Sequence, residues 1–290
     1  MHELIAELTA GGPVITDGAW GTQMQARGLA VGACPDGWNL TNPDDVQAVA
    51  EAYVQAGSQV VITNTFGGTR FCLARHDLAD KVVEINRTGA EISRRAAGEQ
   101  AKVFGSIGPS GVMLMMGEAS PEELRDAFAE QAQALADGGA DALVIETMSD
   151  PAEAKIAVEA VKPIGLPVVA CMVFDSGKDL DRTMMGTTPE EAAQILTDAG
   201  ADCIGSNCGQ GIEGFVAICR RLHAATDRPI WIKANAGLPE MVDGETVYTQ
   251  SPEGFADHVP ALIEAGASFV GGCCGTAPAF ITAVKERLGR

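Results

Sequence analysis

Four times along the chain, a helix-like stretch ends in a turn of small residues and runs directly into a short apolar segment. Ala56-Gly57-Ser58 leads into Val60-Val61-Ile62, and Gly138-Gly139-Ala140 into Leu143-Val144-Ile145. Ala199-Gly200-Ala201 leads into Cys203-Ile204, and Ala265-Gly266-Ala267 into Phe269-Val270. Glycine just past a helix end is the usual terminator, and a short turn into a strand is an αβ connection. Segments that are apolar throughout, rather than alternating, are what a parallel sheet covered on both faces requires. Filling the gaps predicts eight strands, near residues 14–16, 60–63, 102–106, 142–146, 168–173, 203–206, 230–233 and 268–271. Helix patterns lie between most of them. Ser120 with Glu123 opens one as a capping box, and Thr188-Pro189-Glu190-Glu191 and Ser251-Pro252-Glu253 open two more with proline at the first helical position. The expectation is one α/β domain over residues 1–290, a (β/α)8 TIM barrel, with a doubly wound open sheet as the competing architecture. A chain of 290 residues with 46% hydrophobic content has ample material for that core.

A barrel makes a demand on function: working residues collect at the C-terminal ends of the strands. The predicted ends carry Asp17-Gly18, Asn64-Thr65, Gly108-Pro109, Glu146-Thr147, Asn207-Cys208, Asn235 and Cys273-Cys274. The last pair sits in Phe269-Val270-Gly271-Gly272-Cys273-Cys274-Gly275-Thr276. Neighbouring side chains on an ideal strand face opposite ways, so both sulfurs reach one point only where the backbone bends. The flanking glycines permit such a bend. With Cys208 as a third sulfur, the pattern predicts a zinc site whose fourth position is open, as in catalytic sites. Three other readings compete. Free cysteines are often small buried apolar residues; adjacent cysteines can pair with strain; and Gly271-Gly272 before a helix resembles a phosphate-binding corner. That corner needs no cysteine.

The remaining cysteines do not cluster in the sequence; Cys171, Cys203 and Cys219 read as core, and Cys34 and Cys72 have no assigned partner. All four histidines lie away from strand ends, which favours an all-sulfur site, with Asn235 as an occasional extra ligand. Glu146 ends an apolar strand, where a carboxylate can bind an ammonium group, act as a base or merely close the barrel with an ion pair. Asp17 begins a glycine-bearing turn and is either a site residue or an Asx-turn. Residues 113–116 and Met184-Met185 form methionine-rich runs, read as loosely packed core or as a soft docking surface.

A net charge of -19 argues against nucleic acid and anionic membranes as partners. Acidic residues stand where a signal peptide would be basic, and no apolar run is long enough to span a bilayer. A cytoplasmic location with reduced thiols is therefore expected.

The residues Asp17-Gly18-Ala19-Trp20-Gly21-Thr22, Asn64-Thr65-Phe66-Gly67-Gly68-Thr69-Arg70, Gly105-Ser106-Ile107-Gly108-Pro109 and Glu146-Thr147-Met148-Ser149-Asp150 carry a family likeness. So do Asn207-Cys208, Asn235-Ala236-Gly237 and Gly271-Gly272-Cys273-Cys274-Gly275-Thr276. Essentially end to end, the chain resembles the homocysteine S-methyltransferases, and most closely the homocysteine-binding module of cobalamin-dependent methionine synthases. The resemblance implies a (β/α)8 barrel with Zn2+ on Cys208, Cys273 and Cys274 and homocysteine sulfur as fourth ligand. It also implies that Asp17, Gly18 and Glu146 hold the amino-acid end of homocysteine, with Asn64 and Thr65 nearby. No folate or cobalamin module follows within the chain, so the expected methyl donor is methylcobalamin on a separate corrinoid protein, with the folate-binding module on a further chain. Betaine- or S-methylmethionine-dependent transfer is the alternative, and a non-catalytic zinc module a more distant one.

Overall fold

The computed structural model describes residues 2–242 and 245–290. Eight parallel strands curl into a barrel: β1 (Val14–Ile15), β2 (Val60–Ile62), β3 (Lys102–Ile107), β4 (Ala142–Met148), β5 (Val168–Met172), β6 (Cys203–Gly211), β7 (Ile230–Asn235) and, after a hairpin, β10 (Ala267–Gly272). Their order is β1-β10-β7-β6-β5-β4-β3-β2. The ring closes where Thr16 bridges Val60 in parallel and Gln59 N donates to Ile15 O at 2.7 Å. All eight predicted strands are present within a few residues of their expected bounds, and the ring excludes the open doubly wound sheet.

The strands are apolar because both of their faces are covered. Outside lie helices such as Pro43–Ala56, Val82–Ala97, Pro121–Asp137, Pro189–Ala199 and Ile212–Ala225. Inside, Trp231 stacks on Phe104 at 5.8 Å and meets Phe269 at 5.1 Å between ring centroids. This aromatic filling makes the barrel a packed core rather than a pore. The helix starts follow the sequence signals: Ser120 with Glu123 and Thr188 with Glu191 form complete capping boxes, and Ser251 accepts from Gly254 N. Gly200 ends its helix at φ +100°, a left-handed conformation that costs other residues energy.

One feature of the mouth was not expected. The segment after β7 forms an antiparallel hairpin, β8 (Pro239–Val242) and β9 (Glu245–Tyr248). The methionine runs are not core: Met116 is 69% and Met184 72% exposed, on the loops after β3 and β5. Exposed Leu238 precedes β8 and exposed Met241 lies on it. Among the described residues, no helix is long and apolar enough to cross a membrane.

Candidate functional site

The C-terminal mouth opens into a cavity of about 710 Å³ whose wall includes Gly18, Asn64, Thr65, Glu146, Lys233 and the three clustered cysteines. A more open depression of about 510 Å³ between helices Pro252–Asp257 and Pro278–Arg287 lies apart from it and carries no comparable cluster.

The sulfurs meet because two strand ends bend. β10 stops at Gly272, and Cys273 and Cys274 follow in a turn that Gly275 continues at φ +81°. Thr276 donates from N (3.1 Å) and Oγ1 (2.7 Å) to Cys273 O, while Cys273 N donates to Ala234 O at 2.6 Å. On the facing strand, β6 slips register between Asn207 and Gly211, and Cys208 itself takes φ +61°. A non-glycine residue there costs on the order of 1–3 kcal/mol, so surrounding contacts must hold it. The result is three Sγ atoms within 4.8 Å of one another, Cys208 and Cys274 being 3.8 Å apart. Among the described residues, no fourth Cys, His, Asp or Glu joins this donor set.

Their protons are held tightly. For Cys208 the hydrogen bond with Cys273 lowers the pKa, but that with Cys274 and burial raise it more, up to about 12. Cys274 is likewise lowered by Cys208, yet raised by Cys273 and burial to about 12. The hydrogen bond with Cys208, together with burial, pushes Cys273 higher still. Three crowded thiols without a positive partner remain neutral, and an added cation would reverse this.

Asn235 does not turn toward the sulfurs as a free amide: its Oδ1 accepts from Cys274 N at 3.1 Å and so helps place the turn. Tyr248, from the hairpin, packs on Gly275 beside Cys274. Burial, and then the surrounding cysteines, push the Tyr248 phenol well above its ordinary pKa.

Beside the sulfurs lies a second polar cluster. Glu146, 4% exposed, accepts from Ser106 Oγ on Oε1 at 2.5 Å and from Asn207 Nδ2 on Oε2 at 3.3 Å. Burial raises its pKa, and Lys233 opposes that rise. Asn207 also accepts from Thr147 N and donates to Thr147 Oγ1, both at 2.7 Å. These bonds hold Thr147 at φ +62°, an outlier for a β-branched residue. Asp17 is 0% exposed and engaged on both oxygens: Oδ2 accepts from Trp20 Nε1 at 2.9 Å and from Ile62 N at 2.8 Å, and Oδ1 from Lys233 Nζ at 2.5 Å. Burial works against the Lys233 ammonium, but Asp17 and Glu146 outweigh it and raise its pKa above the ordinary value.

Gly18 is glycine for want of space: a Cβ would lie 2.6 Å from Thr276 O and 2.9 Å from the Tyr53 ring. Asn64 donates to Pro35 O at 2.8 Å and to Asn39 Oδ1 at 2.9 Å; Thr65 donates to Ser106 O at 2.7 Å. Both line the cavity while their polar groups brace its wall.

Asn207 and Ser106 stand in the sequence motifs without a role assigned to them, and Lys233 and Tyr248 are not singled out there. For Lys233 a signal existed: it stands two residues beyond Trp231 on a strand, and period two puts both on the same face. Cys34 and Cys72, unpartnered in the sequence, also reach the cavity wall, apart from the three-sulfur cluster. Cys34 contacts Asp36, whose carboxyl burial raises to about 6, and Cys72 donates to Ser110 O at 3.1 Å.

Residues 14–288 match the family model described as homocysteine S-methyltransferase. The chain is 33% identical over 294 residues to the methionine synthase of Mycobacterium tuberculosis and 32% identical over 296 residues to that of Mycobacterium leprae. These alignments take in 95% and 96% of this chain but 24% of each relative, so the chain spans about a quarter of their length. Among solved structures, the metallated form of the homocysteine methyltransferase MmuM from Escherichia coli superposes with a TM-score of 0.79 at 26% identity, covering 95% of this chain and 96% of that one.

Proposed function

The chain belongs to the homocysteine S-methyltransferase family, and on that premise we propose that it moves a methyl group onto the thiol sulfur of homocysteine, giving methionine, with Zn2+ held by Cys208, Cys273 and Cys274. The convergence of these three sulfurs beside a buried carboxylate, in one cavity, carries the reading. Zinc–sulfur bonds of about 2.3 Å in a tetrahedron separate the sulfurs by about 3.8 Å, the spacing between Cys208 and Cys274. Three thiolates with no fourth Cys, His, Asp or Glu among the described residues suit a catalytic site, whereas a structural site is closed by four. Bound zinc would supply thiol activation, stabilising the thiolate that attacks at neutral pH.

The chain's own residues bind and orient the amino acid. Glu146, held by Ser106 and Asn207, keeps acceptor capacity on both oxygens for the substrate ammonium. Gly18, Asn64 and Thr65 shape the wall around it, and Asp17 acts from behind through Lys233. The methyl–donor bond breaks as the new sulfur–carbon bond forms, and the thiol proton goes to solvent.

The favoured donor is methylcobalamin carried by a corrinoid protein, with a folate-binding module as a further partner, since the curated relatives are methionine synthases. Exposed methionines around the mouth offer a soft apolar surface for such a partner. The chain would then act as one homocysteine-binding domain, residues 1–290, in the cytoplasm. A second reading is favoured by the Escherichia coli homocysteine methyltransferase, of which 96% is covered: a self-contained barrel using a small donor such as betaine or S-methylmethionine.

The test is turnover of zinc-loaded protein with homocysteine and methylcobalamin, following the cobalamin spectrum and methionine. Demethylation with stoichiometric methionine is expected; turnover only with betaine or S-methylmethionine selects the second reading, and no methylation of homocysteine by any of the three sinks both.

A further inference from the structure

Lys233 stands at the floor of the cavity, 1% exposed, on the strand that also carries the aromatic core. Its ammonium has three N–H donors. One goes to Asp17 Oδ1. Among the described residues no second acceptor lies within hydrogen-bonding distance, and Glu146 lies beyond ion-pair distance. A buried ammonium with two unused donors is costly unless a ligand completes it. Asp17 is committed on both oxygens, to Lys233, to the Trp20 indole and to the Ile62 amide, which pins Lys233 from behind. On the same cavity wall Glu146 presents a carboxylate with acceptor capacity to spare.

An ammonium and a carboxylate standing apart in one cavity form the electrostatic mirror of an α-amino-acid zwitterion. We propose that Lys233 receives the α-carboxylate of the substrate, while Glu146 receives its α-ammonium. Lys233 thereby becomes the residue that selects an amino acid over a simple thiol or amine; this rests on the homocysteine reading above. A role for Lys233 as a nucleophile or base does not fit, because its carboxylate neighbours keep it protonated.

The experiment compares the binding of two ligands to the zinc-loaded protein by calorimetry: homocysteine, and aminopropanethiol, its decarboxylated counterpart with the same thiol and ammonium. The wild type is expected to prefer homocysteine. Lys233→Met should weaken homocysteine about tenfold to a hundredfold, the scale of a charged hydrogen bond, leave aminopropanethiol unchanged, and so erase the preference. An equal loss for both ligands would make Lys233 a structural counter-charge and overturn the proposal. Should Lys233→Met fold poorly because Asp17 is stranded, the double variant Lys233→Met with Asp17→Asn removes both charges and is read in the same way. Wild type that binds both ligands equally refutes the carboxylate role alone, whereas wild type that binds neither refutes the homocysteine reading itself.

Discussion

Cys208, Cys273 and Cys274 on one side of the mouth, and Asp17, Lys233 and Glu146 on the other, are each three ionisable groups withdrawn from water. Their charges are balanced differently. The carboxylate cluster has its counter-ion built in: Lys233 contacts Asp17 and opposes the burial-driven rise of Glu146. Among the described residues the sulfurs have no cation in direct contact, and their mutual contacts and burial keep the protons on, with Cys208 and Cys274 at about 12. A cluster whose charges are partly balanced from within is scaffold as well as site. A cluster of thiols that stays neutral on its own has the chemistry to take up a cation, which would displace the protons. Asn207 joins the two, touching Glu146 and Thr147 on one side and lying 3.8 Å from the Cys273 sulfur on the other.

The comparison breaks most completely at a sulfur. Cys273→Ala leaves two donors, and metal content measured on the purified protein should fall to nothing together with methyl transfer; a variant that kept both would end the zinc proposal. Next in size is the pH dependence of metal binding. With pKa values above neutrality, the thiols carry protons that the metal must displace, so affinity should weaken as pH falls. The expected slope is about tenfold per pH unit for each proton released, read by competition with a chelator. A flat profile around neutrality would mean the thiols are already ionised.

Glu146→Gln removes charge on the other side. It should raise the homocysteine KM about tenfold to a hundredfold while leaving zinc content intact, which separates the two clusters cleanly. Asn207→Ala tests their connection: it strands the Thr147 amide and should cost about 1–3 kcal/mol in denaturant unfolding and weaken both metal and amino-acid binding. The smallest effect is expected from Ser120→Ala, far from either cluster, where loss of the cap costs about 1 kcal/mol and changes neither ligand's binding.

Much of this architecture was legible because parallel strands covered on both faces are continuous apolar runs, and glycine turns mark where helices hand over to them. Strand ends then named Cys208, Cys273, Cys274 and Glu146, since a barrel gathers polar residues at its mouth. Legibility failed where a residue's meaning depends on what lies across the ring. Lys233 reads as a charge ending a strand, yet its register opposite Gly271 and Asn207 turns it into the interior. Asp17 reads as a site residue or an Asx-turn, and only the fold shows its carboxylate accepting from Trp20, Ile62 and Lys233. The hairpin that brings Tyr248 over Cys274 lies in what reads as an ordinary loop, and the methionine runs, readable as core, are exposed.

Sequence alone therefore determined the period of strand and helix, the barrel and the chemical type of the site, because these rest on local patterns: apolar runs, caps, glycines and adjacent cysteines. Tertiary structure alone decided the bends that bring the named sulfurs together, that Asp17 is held by Lys233, Trp20 and Ile62, and that Tyr248 packs over the turn after β10. Those outcomes depend on register and bends between strands far apart in the chain, and a contact across the ring leaves no periodic trace along it.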